Sequence, residues 1–245
     1  MNPFRRRPEG RVLRIGHRGA AALEPENTLR SFEAAIRCGV DFVEFDVVEL
    51  ADGRLAVAHS LRELGAAPLN LEETLAFFAG TDVGLHVDVK CRRRGRELAE
   101  ALRRHGLVGR SIASSFPFAT LRELRAVEPG LALGLTYPDD RLGLARRRAI
   151  APLVAPAVAA LAKALPHRLP RWISTTGARV AMLHYAVVSP AAIARCHARD
   201  VAVWSWTVNE PPWVERLVEL GVDGIVGDDP RILPGPGPTP STLTA

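Results

Sequence analysis

Two carboxylates two residues apart on an otherwise apolar run are the first feature of this chain that could do chemistry. Glu44 and Asp46 lie within Phe42-Val43-Glu44-Phe45-Asp46-Val47-Val48, and residues i and i+2 of a strand point the same way. Two unpaired acids on one face of a barrel strand are costly. A divalent cation such as Mg²⁺ or Ca²⁺, which takes hard oxygen ligands, removes that cost; a salt-bridge cluster with Arg18 or Lys90 is the alternative. Asp88 and Lys90 repeat the two-residue spacing on a later apolar run, with His86 on the same face. A third carboxylate and a cation at one place suit a metal together with a phosphate group. His17 and His59 end two further strand-like segments. Imidazoles titrate near neutral pH, so two of them can serve as general base and general acid across a scissile P–O bond.

Bringing these groups together requires a frame. Eight short apolar runs, Val12 to Gly16, Phe42 to Val48, Leu85 to Val89, Ser111 to Ser115, Leu131 to Thr136, Val180 to His184, Ala202 to Trp206 and Gly224 to Val226, alternate with helix-like segments. That alternation is the pattern of βα units around a parallel sheet. Eight such strands predict an α/β fold of the TIM (β/α)₈ barrel type, whose active sites assemble at the C-terminal strand ends. A ninth run, Leu55 to His59, follows the second strand after the turn-forming Asp52-Gly53. A parallel crossover needs about a dozen residues, so this run is expected to return antiparallel as a small β-hairpin at the barrel mouth.

Asn27 or Thr28 is placed to cap a helix through Ile36, and Leu71 to Ala79 and Glu97 to Arg104 carry helical spacing, with Gly39 and Gly106 as stops. The span Pro138 to Arg179 exceeds a simple crossover and predicts an insertion between strands 5 and 6. Its Ala- and Val-rich part, Ala149 to Leu165, is interrupted by Pro152 and Pro156, carries Lys163, and is shorter than the ~20 residues of a membrane span. A barrel helix with a lid-like insertion is expected there; a membrane-touching patch is the other reading.

The 245 residues are 47% hydrophobic and 24% charged, which suits one soluble globular domain and excludes a disordered chain or a membrane bundle. The net charge of +5 favours an anionic partner but is spread over many arginines, so nucleic acid is not expected. Residues 1–10, with Arg5, Arg6 and Arg7 between Pro3 and Pro8, are expected to be a flexible, solvated end. Residues 11–233 form the barrel domain, and the Pro/Gly/Thr-rich residues 234–245 are expected to be disordered. Cys38, Cys91 and Cys196 are odd in number and lack C-x-x-C spacing, which fits a reducing cytoplasmic setting. The start of the chain shows no signal-peptide apolar core.

Gly16-His17-Arg18-Gly19, Pro25-Glu26-Asn27-Thr28, Gly39-Val40-Asp41, Glu44-Phe45-Asp46-Val47, Asp52-Gly53 and His59 resemble, in order and spacing, the glycerophosphodiester phosphodiesterase family. Ser114-Ser115-Phe116, Trp206-Thr207-Val208-Asn209 and Gly221-Val222-Asp223-Gly224-Ile225 are similar to its later strands. The resemblance implies His17 and His59 as the acid–base pair, Glu44, Asp46 and Asp88 as ligands to one divalent cation, and Arg18 and Lys90 as phosphate contacts. It also implies a positioning role for Glu26 and Asn27, and packing of Trp206 along the glycerol moiety unless that ring packs the barrel core. The implied reaction is hydrolysis of a small glycerophosphodiester to glycerol 3-phosphate and an alcohol. A lysophospholipase D or sphingomyelinase D-like lipid activity and a non-catalytic phosphate-ester binding module are the alternatives. Two positions depart from the family pattern: Asp88 stands where glutamate is usual, one methylene shorter, and Ser60 stands where an aspartate commonly follows the second histidine.

Overall fold

The computed structural model describes residues 2–6, 10–64, 68–138 and 151–235, with backbone alone at 151–155. Its strands are β1 (Leu13–Gly16), β2 (Phe42–Glu49), β3 (Leu55–Val57), β4 (Gly84–Val89), β5 (Ser111–Ser115), β6 (Ala132–Tyr137), β7 (Val180–His184), β8 (Ala202–Trp206) and β9 (Gly224–Gly227). Neighbours run β1-β9-β8-β7-β6-β5-β4-β2, and pairing of β1 with β2 closes the ring. These eight strands are parallel, as the alternation of runs predicts. The hairpin is present too: β3 pairs antiparallel with β2, Val47 opposite Val57 and Val48 opposite Ala56. It leaves the ladder at Val57, so His59 is carried on the chain beyond it.

Around the ring lie α1 (Leu29–Arg37), α2 (Leu71–Ala79), α3 (Gly95–Arg104), α4 (Phe118–Val127), α5 (Ala151–Thr176), α6 (Pro190–His197) and α7 (Pro211–Leu220). Thr28 caps α1, accepting the Ser31 N–H at 3.2 Å, and Asn70 caps α2, accepting the Glu73 N–H at 2.8 Å. The Pro138 to Arg179 span contains one 26-residue helix, α5, which runs through Pro156, Pro166 and Pro170. Pro152 falls in its first turn, where the missing N–H has no intrahelical partner to lose. Burial of Leu165, Leu169 and Ile173 against the barrel offsets the prolines further along. Of the expected insertion, residues 139–150 lie outside the described residues, as does the tail from 236.

Strand alternation sorts the side chains into two cores. Val43, Phe45, Val47, Leu85, Val87 and Val89 face the helices. Leu13, Ile15, Phe42, Ile112, Val180, Met182, Trp204 and Val226 fill the barrel interior. Phe42 faces inward, so Glu44 and Asp46 do as well. Large and small residues alternate across this interior: a Cβ on Gly84 would lie 2.4 Å from the Phe42 ring, and one on Gly224 would lie 2.7 Å from Trp204. Those two glycines make room for the rings.

The N-terminal segment differs from expectation. Phe4 is 6% exposed and joins the interior core, with ring centroids 6.0 Å from Phe42 and 6.3 Å from Trp204. Asn2 donates to the carbonyls of Arg179 and Asp200, just before β7 and β8, and Trp204 Nε1 donates to the Phe4 carbonyl. Arg5 pairs with the buried Asp223 at 2.9 Å. Residues 2–6 therefore plug the N-terminal end of the barrel. Burying the Phe4 ring there is worth about 2–3 kcal/mol, which outweighs the solvation that the neighbouring arginines would favour.

Candidate active site

Five inward columns of side chains turn polar at the C-terminal ends of their strands. Leu13 and Ile15 lead to His17, Phe42 leads to Glu44 and Asp46, Ile112 leads to Ser114, Met182 leads to His184, and Val226 leads to Asp228. His86 and Asp88 occupy the same face of β4, opposite Glu44 and Asp46 of β2 in the parallel register. The strand period thus collects the polar residues in one layer at the mouth.

Glu44, Asp46 and Asp88 each offer a carboxylate oxygen within 4.8 Å of the others. Asp46 is 1% exposed and encircled by positive and amide groups. Lys90 Nζ lies 2.9 Å from it, Arg18 Nε 3.1 Å and His59 Nδ1 3.4 Å. Asn27 clasps it twice, donating from Nδ2 at 3.1 Å and accepting the Asp46 N–H at 3.2 Å. Burial alone would raise the Asp46 pKa, but Lys90, His59 and Arg18 hold it well below the usual carboxylate range.

Glu44 has no such company. It accepts the Arg18 backbone N–H at 2.7 Å, and His17 Nε2 stands 4.0 Å away. Burial, then repulsion from Asp46 and Asp88, push its pKa well above the ordinary value. The carboxylate cluster is short of positive charge at Glu44, and its all-oxygen donors fit a hard divalent cation. The residues present therefore suit the metal that the sequence implies.

Asp88 keeps its place despite its shorter side chain. Lys90 bridges it to Asp46, and Ser114 Oγ donates to it at 2.9 Å. Since Ser114 spends its proton on Asp88, its oxygen accepts from His86 Nε2 at 2.9 Å. Burial pushes the His86 pKa down to about 4, so the ring is neutral. Lys90 stays charged, because Asp46 and Asp88 outweigh the effect of burial.

His17 follows β1 with its backbone N–H on Gly227 and its Nδ1 2.5 Å from Asp228 Oδ1. Asp228 is gripped by Asn209, whose Nδ2 donates to Oδ2 and whose Oδ1 accepts the Asp228 N–H at 3.0 Å. Burial raises the Asp228 pKa, yet the hydrogen bond and charge of His17 bring it below the ordinary value. His59, on the chain after β3, meets Asp46 instead.

Arg18 adopts a left-handed backbone, φ 49°, which turns its N–H onto Glu44. Its Nη1 donates to Glu26 at 2.7 Å, so Glu26 touches Arg18 and Asn27 touches Asp46. Across the mouth, Trp206 donates Nε1 to the Met182 carbonyl at 3.0 Å and stands edge-on to His184, centroids 5.2 Å apart. Trp204 takes the core-packing position. Asp228, Asn209 and Ser114 had no role from sequence; the column Gly224, Val226, Asp228 and the column Ile112, Ser114 were the available signals.

Residues 17–75 and 81–232 match the profile of the glycerophosphoryl diester phosphodiesterase family. The chain belongs to that family. It is 25% identical over 261 residues to a glycerophosphodiester phosphodiesterase of Caldanaerobacter subterraneus, covering 91% of this chain and 96% of that protein. Among solved structures it is similar to a Silicibacter pomeroyi protein provisionally described as a glycerophosphoryl diester phosphodiesterase, with TM-score 0.73, 24% identity, and 94% and 93% of the two chains covered. It is also similar to an Oleispira antarctica phosphodiesterase solved with the product sn-glycerol-3-phosphate, with TM-score 0.69, 19% identity, and 90% and 94% covered. Family membership agrees with the resemblance drawn from the motifs between His17 and His59.

Proposed function

We propose that this chain hydrolyses glycerophosphodiesters to glycerol 3-phosphate and an alcohol, using one divalent cation, Mg²⁺ or Ca²⁺, held by Glu44, Asp46 and Asp88. The observation that carries this reading is the buried carboxylate cluster, deficient in positive charge at Glu44 and flanked by His17 and His59. Family membership and the product-bound Oleispira relative supply the substrate class. The bound cation would neutralise the carboxylates and polarise the phosphoryl group.

His17 gives its Nδ1 proton to the Asp228 hydrogen bond, which leaves the Nε2 lone pair to take a proton from the attacking oxygen, either water or the glycerol hydroxyl. His59, 32% exposed at the rim, delivers a proton to the departing alkoxide. Arg18 and Lys90 carry charge to the phosphate oxygens, and their own orientation comes from Glu26, Asp46 and Asp88. Asn27 fixes Asp46, and Trp206, with its N–H already satisfied, presents a ring face to the glycerol carbons. The free thiols Cys38, Cys91 and Cys196 fit a cytoplasmic setting.

The test is release of glycerol 3-phosphate from glycerophosphocholine by metal-stripped protein, with Mg²⁺ or Ca²⁺ added back. Release restored by either metal is expected. Equal release without metal would remove the cation from the mechanism, and no release with either would remove the assigned substrate.

A further inference from the structure

The three acids of the cluster are held unequally. Glu44 accepts the backbone N–H of Arg18, and Asp46 is clasped by Asn27. Each thus has a fixed donor that is not one of the cationic side chains assigned to the phosphate. Asp88 is the most exposed of the three, its side chain 13% accessible against 4% for Glu44 and 1% for Asp46. One of its oxygens faces Lys90, which also pairs with Asp46. The other accepts from Ser114 Oγ at 2.9 Å. Ser114 is fully buried on β5, directly opposite Asp88 in the parallel register, so the sheet sets their separation. On its other side β6 presents Gly134, where a Cβ would fall 3.0 Å from that of Ser114.

A hydroxyl rotates, and what it accepts decides where its own proton goes. His86 settles this for Ser114. It lies two residues before Asp88 on the same face of β4, 5% exposed, with Nε2 2.9 Å from Ser114 Oγ and its ring edge-on to Trp204 at 5.9 Å. Its Nδ1 is buried with no hydrogen-bond partner among the described residues. A lone ring proton on Nδ1 would be a donor without an acceptor, and Ser114 would then have one proton for two acceptors, Nε2 and Asp88. A proton on Nε2 satisfies Ser114, which donates to Asp88. A charged ring donates from Nε2 as well, so this order does not turn on the protonation of His86. An apolar residue would fill the position without a buried Nδ1 to desolvate; support of the acid above it accounts for the imidazole.

We propose that Ser114, oriented by His86, is the positioning residue for Asp88, fixing its carboxylate as the third cation ligand when Lys90 turns to the phosphate. The inference rests on the reaction proposed above. Hydrogen-bond partners that orient a metal ligand typically contribute 10- to 100-fold in metal affinity.

The experiment is calorimetric titration of the metal-stripped protein with Mg²⁺ and with Ca²⁺, without substrate, for wild type, Ser114→Ala, His86→Leu and His86→Gln. S114A should weaken cation binding roughly 10- to 100-fold and should recover most of its turnover when metal is raised to saturation. H86L should also weaken binding while the metal-free protein keeps its melting temperature at neutral pH, since packing is retained and orientation is lost. H86Q, whose side-chain amide can donate to Ser114, should bind within about threefold of wild type. A wild-type protein that binds neither cation would overturn the cation reading and this proposal together. Wild-type binding with an unchanged S114A would overturn this proposal alone. An H86Q as weak as H86L, or an H86L that melts lower at unchanged cation affinity, would overturn the orienting role of His86.

Discussion

Replacing Asp228 by Asn tests how His17 is aimed. The wild-type pattern has no slack: Oδ1 accepts from His17 Nδ1, Oδ2 accepts from Asn209 Nδ2, and Asn209 Oδ1 is committed to the Asp228 N–H. An asparagine at 228 has one oxygen for two donors. If its NH₂ faces Asn209, two donors meet, and turning Asn209 over strands the backbone N–H. If its NH₂ faces His17, Nδ1 must accept, the ring proton moves to Nε2, and the lone pair facing the site is lost. Reaching the productive tautomer then means turning that NH₂ onto Asn209, which strands two donors whichever way Asn209 lies, at about 2–6 kcal/mol in total, or roughly 30- to 10⁴-fold in kcat. The assay is glycerol 3-phosphate release under saturating glycerophosphocholine, with KM expected to change little because Asp228 does not reach the phosphate. H17A/D228N should be no slower than H17A alone. Asp228→Ala removes the anion without imposing the wrong tautomer and should lose less than D228N. A D228N enzyme within threefold of wild type, alongside an inactive H17A, would refute the assignment of Asp228 to His17.

Single substitutions His17→Ala and His59→Ala should each lower turnover roughly 10²–10⁴-fold, and normal turnover in either would remove that histidine from proton transfer. Adding Mg²⁺ or Ca²⁺ at a hundredfold over Kd should stabilise the protein by roughly 2.7 kcal/mol, about 5–10 °C in Tm for a chain of this size, and E44Q should abolish the shift. His86, held neutral with its pKa near 4 against an ordinary 6.5, stabilises the fold fully above pH 6.5 and loses that contribution as pH falls through 4. The loss is roughly 3 kcal/mol, visible in urea titrations, and H86N should flatten that limb. Phe4→Ala should cost about 3–5 kcal/mol, whereas a wild-type melting curve would show that the barrel end needs no plug.

The strand period made the frame and half of the site readable. Glu44 and Asp46 announce themselves because two acids on an apolar run cannot be hidden, and Asp88 with Lys90 repeats the pattern on β4. His17 and Asp228, by contrast, are 211 residues apart, and nothing local at either end announces the other. Only closure of the barrel, β9 against β1 with Ile15 opposite Val226 and Gly16 opposite Gly227, makes them neighbours. The N-terminal segment escapes local reading for a related reason. Arg5, Arg6 and Pro3 look solvated one by one, but an open barrel end lined by Phe42 and Trp204 makes Phe4 worth burying. Local composition carries no record of that opening.

The acid cluster admitted two sequence readings, a salt-bridge network or a metal centre, and the structure shows why these are not exclusive. Arg18 and Lys90 do pair with acids, but both turn towards Asp46, and their remaining contacts go to Glu26 and Asp88. The two cations are thereby shared among Asp46, Glu26 and Asp88, and the buried acid with least help is Glu44. Removing Lys90 would worsen the deficit, and a phosphodiester brings another negative charge to the same mouth. A network that neutralised itself would leave every acid near or below its ordinary pKa. Here Asp46 is held down while Glu44 is pushed up, on adjacent inward positions of one strand. That uneven pairing is compatible with one further cation at the cluster.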